Sequence, residues 1–135
     1  MTVLVDSSVW IEYLRGTGGP ADRWILAAMR GNQRLAWTEP ILFELLAGVV
    51  TPRRSIELRA LLMRGPVLRT RGLMDWEYAA SLARLARADG WTIRSRIDCL
   101  IAAIAIRADV PLATVDRDFS VIADLAPLRL VPITP

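Results

Sequence analysis

Lysine and histidine are both absent from this 135-residue chain; all seventeen basic side chains are arginines. Without histidine there is no Ser-His-Asp or Cys-His catalysis and no imidazole metal ligand. Without lysine there is no P-loop lysine, Schiff base or Ser-Lys pair. One cysteine, Cys99, allows neither an intrachain disulfide nor a cysteine-rich zinc site. No strictly apolar run is long enough to span a bilayer, and Met1-Thr2-Val3-Leu4-Val5-Asp6 carries no basic n-region. The expectation is a cytoplasmic protein with no membrane association. If the chain is an enzyme, carboxylates are the chief titratable groups left for chemistry, most naturally through a metal.

What is present suits one ordinary domain, taken as residues 1–135, with 53% hydrophobic residues to fill its core. A sequence pI near 10.0 favours an anionic partner, and arginine grips phosphate bidentately. Thr2–Val5 reads as a strand running into a helix start at Asp6-Ser7-Ser8, with the helix over Val9–Leu14. Pro20 opens a helix to about Met29. Leu35–Thr38 reads as a strand, Pro40 opens the helix carrying Glu44, and Pro52 opens another ending near Gly65. Pro66–Leu68 is a weak strand, Asp75–Ala88 a helix, and Ile97–Ala108 a helix apolar nearly all round, hence buried. Strands follow at Leu112–Val115 and Leu128–Ile133. This alternation predicts an α/β three-layer sandwich with a mainly parallel central sheet, whose ligands bind beyond the strands' carboxyl ends.

Asp6 and Asp116 each lie just past a strand, although either also suits a helix cap. Glu44 sits at the edge of an apolar arc of Ile41, Leu42, Leu45, Leu46 and Val49, neither capping nor clearly solvated. Asp98 opens the buried helix on the side of Ile101, Ala102 and Ala105, where an unpaired charge is costly. These four acids, separated by 38, 54 and 18 residues, converge only through the fold. Should they converge, their repulsion demands a cation, and oxygen-only ligands suit Mg²⁺ or Mn²⁺. Such sites chiefly serve phosphodiester chemistry. Asp118 is a peripheral fifth candidate, with a local turn as its other role.

Four fragments carry a family resemblance: Val5-Asp6-Ser7-Ser8-Val9-Trp10-Ile11, Glu44-Leu45-Leu46-Ala47-Gly48, Ile97-Asp98-Cys99-Leu100-Ile101-Ala102-Ala103 and Ala113-Thr114-Val115-Asp116-Arg117-Asp118-Phe119. In that order they resemble a PIN-domain ribonuclease, specifically a VapC-type toxin of a bacterial toxin–antitoxin pair. The resemblance implies an Mg²⁺- or Mn²⁺-dependent endoribonuclease with Asp6, Glu44, Asp98 and Asp116 as its acidic quartet and Asp118 assisting. Ser8 and Thr114 match hydroxyl positions that help hold such a site; capping and strand-end hydrogen bonding are their other reading. It further implies a homodimer and a cognate VapB-type antitoxin that wraps the toxin and blocks its cleft.

Rivals fare worse. Leu112–Ser120 also resembles the nucleophile loop of haloacid-dehalogenase-type phosphatases, but those enzymes and receiver domains need a lysine. Gly16-Thr17-Gly18-Gly19 follows a helix rather than a strand, unlike a dinucleotide fingerprint. The Asp116 segment lacks the central glycine and terminal glutamate of an EF-hand. The surviving alternatives are a PIN-like RNA-processing nuclease and a non-catalytic RNA- or partner-binding module.

Charge is unevenly spread: net +5 over residues 53–71, +3 over 84–96 and −3 over 109–124. A basic rim around an acidic pocket suits a nuclease, with Arg94 and Arg96 the best candidates for RNA contact. Trp10, Trp24 and Trp37 fall in apolar stretches and read as core or dimer interface rather than base-stacking platforms; for Trp76 and Trp91, packing is favoured over base stacking. The apolar faces around Trp10, Ile11, Leu14, Leu45 and Leu46 are candidate seats for an antitoxin helix.

Overall fold

The computed structural model of the chain describes residues 1–133, so the last two residues of the expected 1–135 domain lie outside it. A parallel sheet of three strands, ordered β2-β1-β3, forms from β1 (Thr2–Val5), β2 (Arg34–Ala36) and β3 (Leu112–Ala113). Around it stand α1 (Ser7–Arg15), α2 (Pro20–Arg30), α3 (Glu39–Gly48), α4 (Pro52–Leu62), α5 (Gly72–Ala88), α6 (Arg96–Ala108) and α7 (Asp118–Leu125). The expected α/β sandwich with a parallel central sheet is therefore what the chain builds. β1, the central strand, is buried at Val3, Leu4 and Val5, as a strand covered on both faces must be. In α6 every residue from Asp98 to Ala105 is buried, and the helix packs against α5, α7 and α3.

The sheet edges differ from expectation. Pro66–Leu68 and Leu128–Ile133 do not form strands. Each makes one isolated parallel bridge, Trp37 with Val67 and Leu112 with Leu130. Two backbone hydrogen bonds support the first (Trp37 N–H to Pro66 at 3.1 Å, Leu68 N–H to Trp37 at 2.8 Å), after which the chain departs. β3 also ends earlier than Val115, because the Thr114 side chain turns to Asp6. Conversely, α5 begins three residues before Asp75: the Asp75 carboxylate accepts the Arg71 N–H (2.7 Å) and secures an extra turn. α7 adds a helix over Asp118–Leu125 beyond those expected from the sequence. Gly65 lies so close to β2 that any side chain there would collide with the Leu35 carbonyl oxygen.

Candidate metal centre

The three strands share one direction, so the loops at their carboxyl ends share one rim. Asp6 leaves β1 there, caps α1 and is 2% exposed. Its Oδ2 accepts the Ser8 hydroxyl (2.6 Å), the Thr114 hydroxyl (3.0 Å) and the Ser8 N–H (3.3 Å). Each hydroxyl has one proton to give. Ser8 Oγ in turn accepts the Val115 N–H (3.2 Å), and Thr114 Oγ1 accepts the Asp116 N–H (3.0 Å). Ser8 and Thr114 thus tie β1, α1 and the loop after β3 together with their protons committed to one oxygen of Asp6. The other oxygen, Oδ1, is buried with no partner in the protein.

α3 brings Glu44 alongside, half-buried, where the Ser7 hydroxyl donates to Oε1 (3.2 Å). Ser7 was not among the residues the sequence singled out; a serine at the first helical position carries no signal distinct from capping. Asp98, 6% exposed in the first turn of α6, lies between the others. Carboxylate oxygens of Asp6, Glu44 and Asp98 lie within 4.8 Å of one another, and so do those of Asp98, Asp116 and Asp118. The five acids therefore form two triads that share Asp98.

Asp118 is not peripheral. It is 2% exposed; Oδ1 accepts the Trp91 indole N–H (3.2 Å) and Oδ2 the Arg94 backbone N–H (3.0 Å). Asp116 Oδ1 accepts the Asp118 N–H (3.0 Å) at the start of α7. Among the candidate RNA contacts, Arg94 lies on Asp116 and Asp118, whereas Arg96 is exposed at the first turn of α6.

Crowding changes the acids' proton affinity. Burial pushes Asp98 up to about 7, helped by the charges of Asp6, Asp116, Glu44 and Asp118. Burial also raises Glu44, with Asp6 adding to it, and raises Asp6 despite the hydroxyls that favour its ionised form. Burial and then the Asp98 charge push the Cys99 thiol up to about 11, which leaves it inert as a nucleophile. An unpartnered buried carboxylate oxygen, an all-oxygen donor set and mutually repelling acids fit a hard divalent cation.

From Glu44 a groove of about 860 Å³ runs between α1, α3 and α4, lined by Ile11, Leu14, Leu45, Val49, Arg54 and Arg64. Trp10, read as core or interface and also as part of a face for an antitoxin helix, is 2% exposed in the core, which leaves that face to the other residues. Trp76, for which packing was expected, is 54% exposed.

The PIN domain family model matches residues 3–125. A VapC ribonuclease of Mycobacterium bovis and ribonuclease VapC11 of Mycobacterium tuberculosis are each 38% identical over 128 residues, spanning 94% of this chain and 96% of theirs. The chain belongs to the PIN-domain family, among the VapC ribonucleases. The fold of this PIN domain is also that of VapBC2 from Rickettsia felis, solved with a DNA fragment from its promoter. That structure has a TM-score of 0.76 at 18% identity, covering 97% of this chain and 98% of that one. VapBC-1 from nontypeable Haemophilus influenzae gives 0.75 at 22% identity, with both chains covered completely. No helix of the described residues is long and apolar enough to cross a membrane.

Proposed function

We propose that this PIN domain is a cytoplasmic endoribonuclease toxin that cuts RNA with Mg²⁺ or Mn²⁺ held by Asp6, Glu44, Asp98 and Asp116, with Asp118 supporting. The observation that carries the reading is the convergence of these acids into two triads that share Asp98, one of them including Asp6, whose buried Oδ1 no protein group satisfies. A bound divalent cation supplies water activation and charge stabilisation on phosphate oxygens. The protein's own part is preparatory. Ser8 and Thr114 fix Asp6, and Ser7 steadies Glu44. Asp98 holds a proton near neutrality in the metal-free state and releases it when a cation offsets its neighbours. Arg96, exposed in the first turn of α6, is the candidate for holding a flanking RNA phosphate.

Purified protein is expected to cleave RNA in Mg²⁺ or Mn²⁺ and to stop when EDTA is in excess. Cleavage that persists in EDTA would remove the metal reading. Binding of RNA without cleavage in either metal would leave only the non-catalytic alternative.

The groove beside Glu44 supports the partner reading. Apolar on its walls and fringed by Arg54 and Arg64, it suits a short amphipathic antitoxin segment with acidic residues that would cover the acids as well. Expression of the toxin alone should arrest growth, and co-expression of the adjacent small open reading frame should relieve it. Normal growth at high levels of folded protein defeats the toxin assignment while sparing an RNA-processing nuclease. Homodimerisation, also implied by the family, belongs to this same reading.

A further inference from the structure

The second acidic triad already has a cation on it. The Arg94 guanidinium places one terminal nitrogen 3.3 Å from Asp116 Oδ1 and Nε 3.5 Å from Asp118 Oδ2. Its backbone N–H donates to that same Asp118 oxygen (3.0 Å), and the Trp91 indole holds the other (3.2 Å). The segment from Trp91 to Arg94 is thus strapped to the start of α7 by a buried acid. The guanidinium at its end lies over the two acids that would otherwise share an ion with Asp98. The first triad, Asp6, Glu44 and Asp98, has no such occupant among the described residues; there one Asp6 oxygen is left bare.

We infer that Arg94 is a built-in counter-cation for the Asp98–Asp116–Asp118 triad, so that an ion loads first at Asp6–Glu44–Asp98 and a second enters only when the guanidinium swings away. The inference rests on the metal reading proposed above. Its physics is competition. Arg94 is tethered to the triad through its own backbone contact with Asp118, so its effective concentration there is high at all times. Yet its side chain is 72% exposed, and exposed ion pairs are weak, so a divalent ion or an RNA phosphate can displace it. Asp116 is 28% exposed and faces this exchange directly, whereas Asp118 is sealed below. An arriving phosphate that draws Arg94 off the acids would vacate the second triad as substrate arrives. Loading is thereby coupled to substrate, and without RNA the second ion binds only weakly.

The test is Mn²⁺ binding followed by calorimetry at pH 7.5 and low salt on the intact protein, with thermal melts to show that each variant is folded. Arg94 is exposed, so its substitution leaves the core untouched. Wild type is expected to bind one ion well and a second weakly. In Arg94→Ala the second ion should bind about two- to fivefold more tightly, the scale of one exposed ion pair removed. Arg94→Lys, which keeps a charge without the planar fork, should show a smaller gain. The gain should vanish in Arg94→Ala/Asp116→Asn, which assigns it to the second triad. Superimposable wild-type and Arg94→Ala isotherms with ions bound would overturn the inference and leave the metal reading standing. Absence of Mn²⁺ binding by either protein would overturn both.

Discussion

Asp98→Asn should cost roughly a thousandfold in RNA cleavage while making the metal-free protein more stable. The two effects have one cause. Asp98 belongs to both triads, so it is repelled by both sets of neighbours without metal and would serve both with it. At 4.8 Å and an effective dielectric near 20, two full charges repel by roughly 3 kcal/mol. The protein answers by keeping Asp98 protonated up to about pH 7. The sign follows from that raised value. Between an ordinary carboxyl pKa and about 7 the folded state holds a proton that the unfolded chain has released, so stability falls as pH rises through this window. Below about pH 4 both states hold the proton, and the substitution is expected to change little. At pH 8 in EDTA, Asp98→Asn should be more stable than wild type by on the order of 1–3 kcal/mol, after allowance for structural relaxation and water entry.

Magnesium should narrow that gap. Saturation at a hundred times Kd would add about 2.7 kcal/mol to the wild type, and less to a variant that has lost the shared ligand. A thousandfold loss in cleavage corresponds to about 4 kcal/mol of transition-state stabilisation, the scale of a metal's electrostatic contribution. Denaturant melts at pH 4 and pH 8, with EDTA or Mg²⁺, together with one cleavage assay, check all of this. If Asp98 only starts a helix, asparagine would do so equally well, and folded Asp98→Asn with wild-type activity would remove it from the site.

Much of this site was legible because its acids stand at places where local sequence betrays them. Asp6 ends a short β-branched run, Asp98 is the one charge among apolar neighbours in Ile97–Ile101, and Glu44 breaks an apolar arc. What escaped is what depends on pairing across distance. Nothing near Trp91 announces that its indole reaches Asp118, 27 residues away, nor does Ser7 announce Glu44, 37 residues away. α7 was missed because Asp118–Leu125 is two turns long, with β-branched Val121 and Ile122 between its acids, and is stabilised by packing on α5 and α6 rather than by propensity. The edge segments read as strands because they are apolar. Their prolines at 66 and 132 lack the N–H that a continued ladder needs.

The same blindness hid the pair whose loss should hurt the fold most. Asp75 and Arg107 are 32 residues apart, on α5 and α6, and meet in a bidentate ion pair (2.8 and 2.9 Å). Asp75 is 3% exposed in its side chain and Arg107 is 20% exposed, and the guanidinium also donates to the Arg69 carbonyl (2.8 Å). Burial alone would raise the Asp75 carboxyl, but hydrogen bonds from Arg107 and from the Arg71 N–H turn the shift downward. Arg107→Met retains the apolar stem and removes the charge, leaving a buried carboxylate with one backbone donor. The expected loss is about 3–5 kcal/mol at pH 7, against a total stability on the order of 5–15 kcal/mol for such a domain. Here the pH dependence runs opposite to that of Asp98. A lowered carboxyl contributes stability that is present above its unfolded pKa and lost as pH falls through its folded one. The variant's orphaned carboxyl should instead take up a proton, so its deficit relative to wild type should shrink as the pH is lowered toward 4. Asp75→Leu/Arg107→Met, with both charges gone, should recover most of the loss, because the destabilising species is the unpaired charge rather than the missing bridge. Denaturant melts of the two variants at pH 4.5 and pH 7 decide it. A double variant no more stable than Arg107→Met would mean that the pair itself, through its grip on Arg69 and α5, holds the helices together.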